Sequence, residues 1–306
     1  MFLSSRIAGP SNILAFTLST LRETKIPVKT DFSVPHGLCG MRISIVEIER
    51  RDPILSVLQA LTYRHTHTAF MVSGHQTQSW PFSRHPEGAS LDSSDLLANH
   101  VIELRNGTEF PLCHSVPLTI SYNGVTCTPS VVDAERNLSP GFGLAARILW
   151  SHFVLFSDKV TSSHFEKFCC TMRAFFPDLN PSQAVQVVIA HQKRPVLLLV
   201  DELIKSEYIA AEWPFKILSC IGILLDDIAM FSSVETSLKP RPVLRVASES
   251  GRQVQWIQLP PFTLQESESL DLFKLILEEY TSLGMDEVVK LCVSDVGGHP
   301  RGLELL

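Results

Sequence analysis

Residues 195–200 (PVLLLV) form an apolar run without alternation, followed at once by Asp201 and Glu202. A strand with one wet face alternates apolar and polar side chains, so an unbroken run marks a strand buried on both faces. Such strands belong to parallel sheets covered by helices on each side. The flanking patterns agree. Residues 69–72 (AFMV) make a short apolar run ending at Ser73 and Gly74, and residues 116–122 (VPLTISY) read as a strand closed by Asn123 and Gly124. Residues 227–234 supply another central strand, and residues 254–259 (VQWIQL) alternate cleanly. Between these segments lie helical patterns. Residues 143–156 carry Leu144, Ile148, Leu149 and Phe153 on one side, and residues 165–176 precede Pro177. Residues 181–191 follow Asn180 as N-cap with Pro181 in the first turn, and residues 213–225 complete the set.

The ends of the chain are less regular. Residues 41–48 (MRISIVEI) alternate like a half-buried strand, and Asp52 with Pro53 opens a helix carrying Ile54, Leu55, Leu58 and Leu61. Thr263 and Glu266 form a capping-box pattern before a helix over residues 264–280. A last helix through Val288 and Leu291 reaches the turn Gly297-Gly298-His299-Pro300. The expected architecture is a three-layer α/β core over residues 51–262. An N-terminal extension, residues 1–50, precedes it, and a truncated helical lid, residues 263–306, follows.

Composition narrows the function classes. Of 306 residues, 45% are hydrophobic and 19% charged, enough apolar material for a packed core. The longest apolar run, residues 217–225, contains Ser219 and Gly222 and falls well short of the ~20 residues of a membrane span. The net charge of −6 is unevenly distributed: residues 1–50 sum to +2 and the remainder to −8. No basic stripe interleaved with aromatics appears in the sequence, which disfavours nucleic-acid binding by this chain. Seven scattered cysteines include no C-x-x-C pair, so a reducing, intracellular setting is expected. His65, His67, His75 and His85 have no spacing that suits a zinc site.

The chemistry concentrates at the end of the run over residues 195–200. A buried parallel strand delivers its carboxyl end to the ligand crevice of an open α/β sheet. There Asp201 suits Mg²⁺, a hard cation that takes carboxylate and water oxygens. Glu202, one residue on, is placed to orient or deprotonate an attacking water. The competing reading is that both acids cap the following helix at its positive end.

A phosphate-binding loop is expected upstream, after residues 69–72. Its backbone N–H groups must approach the phosphates closely, which calls for glycines, and a lysine must reach the terminal phosphates. Gly74 is the right first glycine. Counting G-x-x-x-x-G-K-[ST] from it places Ser79 at the second glycine, Trp80 at the lysine and Pro81 at the hydroxyl residue. Residues 75–95 show neither helical nor strand period. Genuine loss of the loop would produce this break, and so would a shifted reading frame over codons 74–100.

Taken in order, these segments resemble the P-loop NTPase module of the retrotransposon hot spot proteins of kinetoplastids and the related Crinkler effectors, a branch of the AAA+/STAND-like ATPases. The resemblance rests on Val72-Ser73-Gly74, residues 116–123, residues 144–153 and residues 195–202. Gly251-Arg252 with residues 256–261 (WIQLPP) and the closing Gly297-Gly298-His299-Pro300-Arg301 complete it. It covers residues 51–306 and departs from the family at the phosphate loop. The resemblance implies a three-layer parallel sheet, ATP and Mg²⁺ as ligands, Asp201 as the metal-site acid and Glu202 as the catalytic acid. It places Gly74 in the phosphate loop, Thr236 or Ser237 as a polar sensor of the γ-phosphate, and Arg301 as a lid residue reaching the nucleotide. Arg147 reads instead as a structural ion-pair partner. A protein partner and a nuclear association are further expectations of the resemblance. The alternative function is a non-catalytic interaction protein that keeps the NTPase fold without its phosphate grip.

Overall fold

The computed structural model describes residues 9–30, 69–73, 101–103, 109–111, 114–122, 129–154, 160–201, 203–236 and 254–258. The expected strand over residues 41–48, the helix from Pro53, the loop over residues 75–95 and both helices beyond residue 263 lie outside them.

Five parallel strands form the central sheet: β1 (Ala69–Ser73), β4 (Val116–Ser121), β5 (Val196–Asp201), β6 (Phe231–Thr236) and β7 (Val254–Gln258). Their order is β4-β5-β6-β1-β7. A separate antiparallel pair joins β2 (Val101–Glu103) and β3 (Glu109–Pro111). From β1 the chain goes to the far edge at β4, steps back through β5 to β6, then passes over β1 to β7. The direction of travel therefore reverses at the β4 edge, and β1 lies inside the sheet between β6 and β7.

The expected burial of β5 on both faces is met. Val196, Leu198 and Val200 point into one core with Val116, Leu118 and Ile120 of β4, while Leu197 and Leu199 on the opposite face are buried too. Six α-helices are described: α1 (Pro10–Glu23), α2 (Pro129–Glu135), α3 (Pro140–Phe153), α4 (Ser162–Phe175), α5 (Pro181–Gln192) and α6 (Trp213–Asp227). α3 lies against β4, α5 against β5, and α6 against β6 and β1. The α5 start follows its local signals. Asn180 Oδ1 accepts from the Gln183 N–H at 3.0 Å and Gln183 Oε1 accepts from the Asn180 N–H at 3.1 Å, with Pro181 at the first helical position.

Three boundaries differ from the sequence expectation. α6 continues to Asp227, so β6 begins at Phe231 rather than at residue 227, and Thr236 ends that strand instead of following it. α3 starts at Pro140 because Ser139 accepts from the Phe142 N–H at 3.1 Å, and it stops at Phe153, where Val154 turns extended. α1 lies in the stretch read as an N-terminal extension, yet Ile13 and Leu21 are fully buried and the helix packs on α4 and α5.

A basic cluster is sealed at the C-terminal end of α3. Lys29 is buried and donates through Nζ to the Ser151 carbonyl at 2.9 Å. His152 Nε2 lies 3.1 Å from His191 Nδ1. Burial first, then the His191 and Lys29 charges, lower His152 from 6.5 to about 2. An imidazole neutral in the fold but protonated when unfolded contributes no destabilisation above pH 6.5, and the fold weakens as pH falls from there toward 2. The expected result is a roughly tenfold loss in the folding equilibrium per pH unit across that window. His152→Gln should flatten this acid limb in urea unfolding measured from pH 7 to pH 4; an unchanged slope would contradict the assignment.

Candidate functional site

Parallel strands end together, so the carboxyl ends of β1, β5 and β6 share one edge of the sheet. The register pairs Val72 of β1 with Thr236 of β6, and Glu235 of β6 with Val200 of β5. Asp201, one residue past Val200, thus stands level with Thr236 and, across β6, with Val72, the residue before Ser73. β6 alone separates β1 from β5, an interval of about 9.5 Å at the usual strand spacing.

Asp201 is half-buried, with β5 flanked by β4 and β6. Its carboxylate Oδ2 accepts from Ser121 Oγ at 3.1 Å, and its carbonyl accepts from the Tyr122 N–H at 3.1 Å. Ser121 is the last residue of β4 and sits directly across from Asp201. Sequence reasoning missed Ser121, because pairing between strands leaves no mark in the linear order of residues.

Behind this edge lies a buried ion pair. Arg147 on α3 reaches Glu135 at the end of α2 with two bonds, Nε to Oε1 at 3.0 Å and Nη2 to Oε2 at 2.7 Å. Both side chains are nearly inaccessible, at 3% and 1% exposure, which makes the forked pair a fully desolvated one. The third arm of the guanidinium, Nη1, donates to the Ser121 carbonyl at 3.1 Å. The cation also stacks over Tyr122 at 4.5 Å and Phe165 at 5.2 Å. Arg147 is therefore the structural partner expected from the sequence. Gly143 permits this assembly, since a Cβ there would come within 2.7 Å of the Trp213 ring and 3.5 Å of Glu135 Oε1.

A second acid was not foreseen. Glu235 on β6 is completely buried, and among the described residues neither carboxylate oxygen has a partner in good hydrogen-bond geometry. Burial raises it from 4.5 to about 8. It occupies the helix-covered face with Val200 and Phe231, opposite the face carrying Asp201 and Ser121.

The backbone of Thr236 falls at the same edge as Asp201. Gly74, Glu202, Ser237 and Arg301 lie outside the described residues. Among the described residues no group of three or more His, Cys, Asp or Glu could hold a metal ion by itself. A single half-buried carboxylate fits Mg²⁺ only where water and substrate phosphates supply the other oxygens. No described helix is long and apolar enough to cross a membrane. No protein-family model matches the chain, and no curated protein matches it significantly.

Proposed function

We propose that the carboxyl edge of the sheet is a Mg²⁺–nucleotide site and that the chain is a P-loop NTPase-like protein with a degenerate phosphate loop. One observation carries this reading: Asp201 ends an interior parallel strand level with Thr236, two strands from β1, which leads into Gly74. The resemblance asks for that arrangement, with phosphates at the end of β1 and the metal-site acid at the end of β5.

The residues take distinct roles in this reading. Mg²⁺, when bound, would neutralise and orient the phosphate oxygens. Asp201 would hold it, Glu202 would position the attacking water, and Thr236 or Ser237 would contact the terminal phosphate. Arg301 would close over the nucleotide from the lid. Trp80 in place of the lysine removes a cation facing the phosphates, and Pro81 offers no N–H. Each missing charge-assisted bond is worth about 1.5–3 kcal/mol, so affinity well below that of an intact loop is expected.

Calorimetric titration of the full chain with MgATP tests this. Saturable binding that needs Mg²⁺ is expected, and Asp201→Ala should remove the metal-dependent part. Equal binding by the wild type and Asp201→Ala would reject the site. A specific feature favours the second reading, an interaction protein that retains only the fold: Trp80 and Pro81 occupy both loop positions that should grip phosphate and metal. Saturable MgATP binding at micromolar concentration would exclude that alternative.

A further inference from the structure

We propose that Ser121 is a positioning residue for Asp201: its hydroxyl fixes the rotation of the carboxylate that meets Mg²⁺, and Arg147 holds Ser121 in place. The proposal rests on the nucleotide reading above and names a residue that reading does not contain.

A carboxylate swings easily about its terminal torsion, whose energy profile is broad. The Ser121 Oγ donor, 3.1 Å from Oδ2, fixes that rotation from the neighbouring strand. The donor must itself be still, and it sits at the end of β4, the outermost of the described strands on that side. Among the described strands β4 pairs only with β5, so support for its last residue from other directions matters. Two contacts supply it. The Tyr122 N–H donates to the Asp201 carbonyl at 3.1 Å, continuing the β4–β5 ladder past Ser121. Arg147 Nη1 donates to the Ser121 carbonyl at 3.1 Å from the helical layer.

Arg147 is held in turn from three directions. Glu135 grips it through two bonds, and Tyr122 and Phe165 cover the guanidinium at 4.5 and 5.2 Å. A continuous path therefore runs from α2 through α3 to β4 and ends on the carboxylate of β5. Hydrogen-bond partners that orient a metal-binding group typically strengthen metal affinity 10–100-fold.

The test compares ATP binding with Mg²⁺ and with EDTA, by calorimetry, in the full-length wild type, Ser121→Ala, Ser121→Thr and Asp201→Ala. The ratio of the two dissociation constants isolates the metal's contribution. Ser121→Ala should lower this ratio about tenfold, leaving metal-free ATP binding and the thermal midpoint unchanged. Ser121→Thr, which keeps the hydroxyl, should restore it. A wild-type ratio in Ser121→Ala, with Asp201→Ala collapsed to one, would overturn the role of Ser121 and leave the site standing. Equal weakening with and without metal would mark Ser121 as merely structural and also overturn the proposal. A ratio of one already in the wild type would overturn both the proposal and the nucleotide reading.

Discussion

Replacing Glu135 with alanine is expected to lower the stability of the fold by about 3–5 kcal/mol, the range for breaking a buried ion pair from one side. The magnitude comes from what is left behind rather than from what is lost. Arg147 is 3% exposed and cannot reach bulk water without unpacking Tyr122 and Phe165. Its hydrogen bond to the Ser121 carbonyl compensates part of the cation. Urea unfolding at pH 7 measures the loss directly. Removing both charges, as Glu135→Leu with Arg147→Met, should recover much of it, because a packed apolar pair carries no desolvation penalty. A loss below about 1 kcal/mol for Glu135→Ala would resemble an exposed pair and contradict the buried geometry.

Glu235→Gln should act in the opposite direction and stabilise the protein at neutral pH. Burial holds the native carboxyl near 8 against 4.5 when free. A raised value means that the native state keeps a proton the unfolded chain has lost. Stability is therefore complete below pH 4.5 and falls as pH climbs toward 8, about tenfold in the folding equilibrium per unit. At pH 7 the accumulated deficit is about 3 kcal/mol. Glutamine is neutral throughout and removes it. Paired unfolding curves should then diverge from pH 5 upward and coincide near pH 4. A variant less stable than the wild type at pH 7 would show that Glu235 is ionised and paired in the native state. The effect opposes the acid limb from His152, so the variant should also shift the pH of maximal stability upward.

Much of the fold could be read from residue patterns. The unbroken run before Asp201 required a strand covered on both faces, and β5 is such a strand. Asn180 and Pro181 marked the start of α5 from the sequence, and the reciprocal Asn180–Gln183 hydrogen bonds hold it there. The readings failed where burial does not track polarity. α1 hides Thr17, whose hydroxyl bonds back to the Ile13 carbonyl at 2.7 Å, so its inner face does not look apolar. β6 buries Ser232, Ser233 and Glu235, and its polar residues moved the expected strand upstream onto the end of α6. The strands of β2 and β3 have three residues each, too few to display a period. At the candidate site, Asp201 was legible because its own strand announces it. Ser121 and Glu135 were not, since their importance arises from which strand and which helix lie beside them.

The most direct measurement is the electron paramagnetic resonance spectrum of Mn²⁺ with ATP, titrated with the full-length chain. Mn²⁺ substitutes for Mg²⁺ at oxygen ligands, and its free-ion signal falls as the ternary complex forms. The wild type should deplete that signal saturably beyond what ATP alone removes, and Asp201→Ala should leave it at the ATP-only level. Identical depletion by both proteins, or none by either, would contradict a metal–nucleotide site at the carboxyl end of β5.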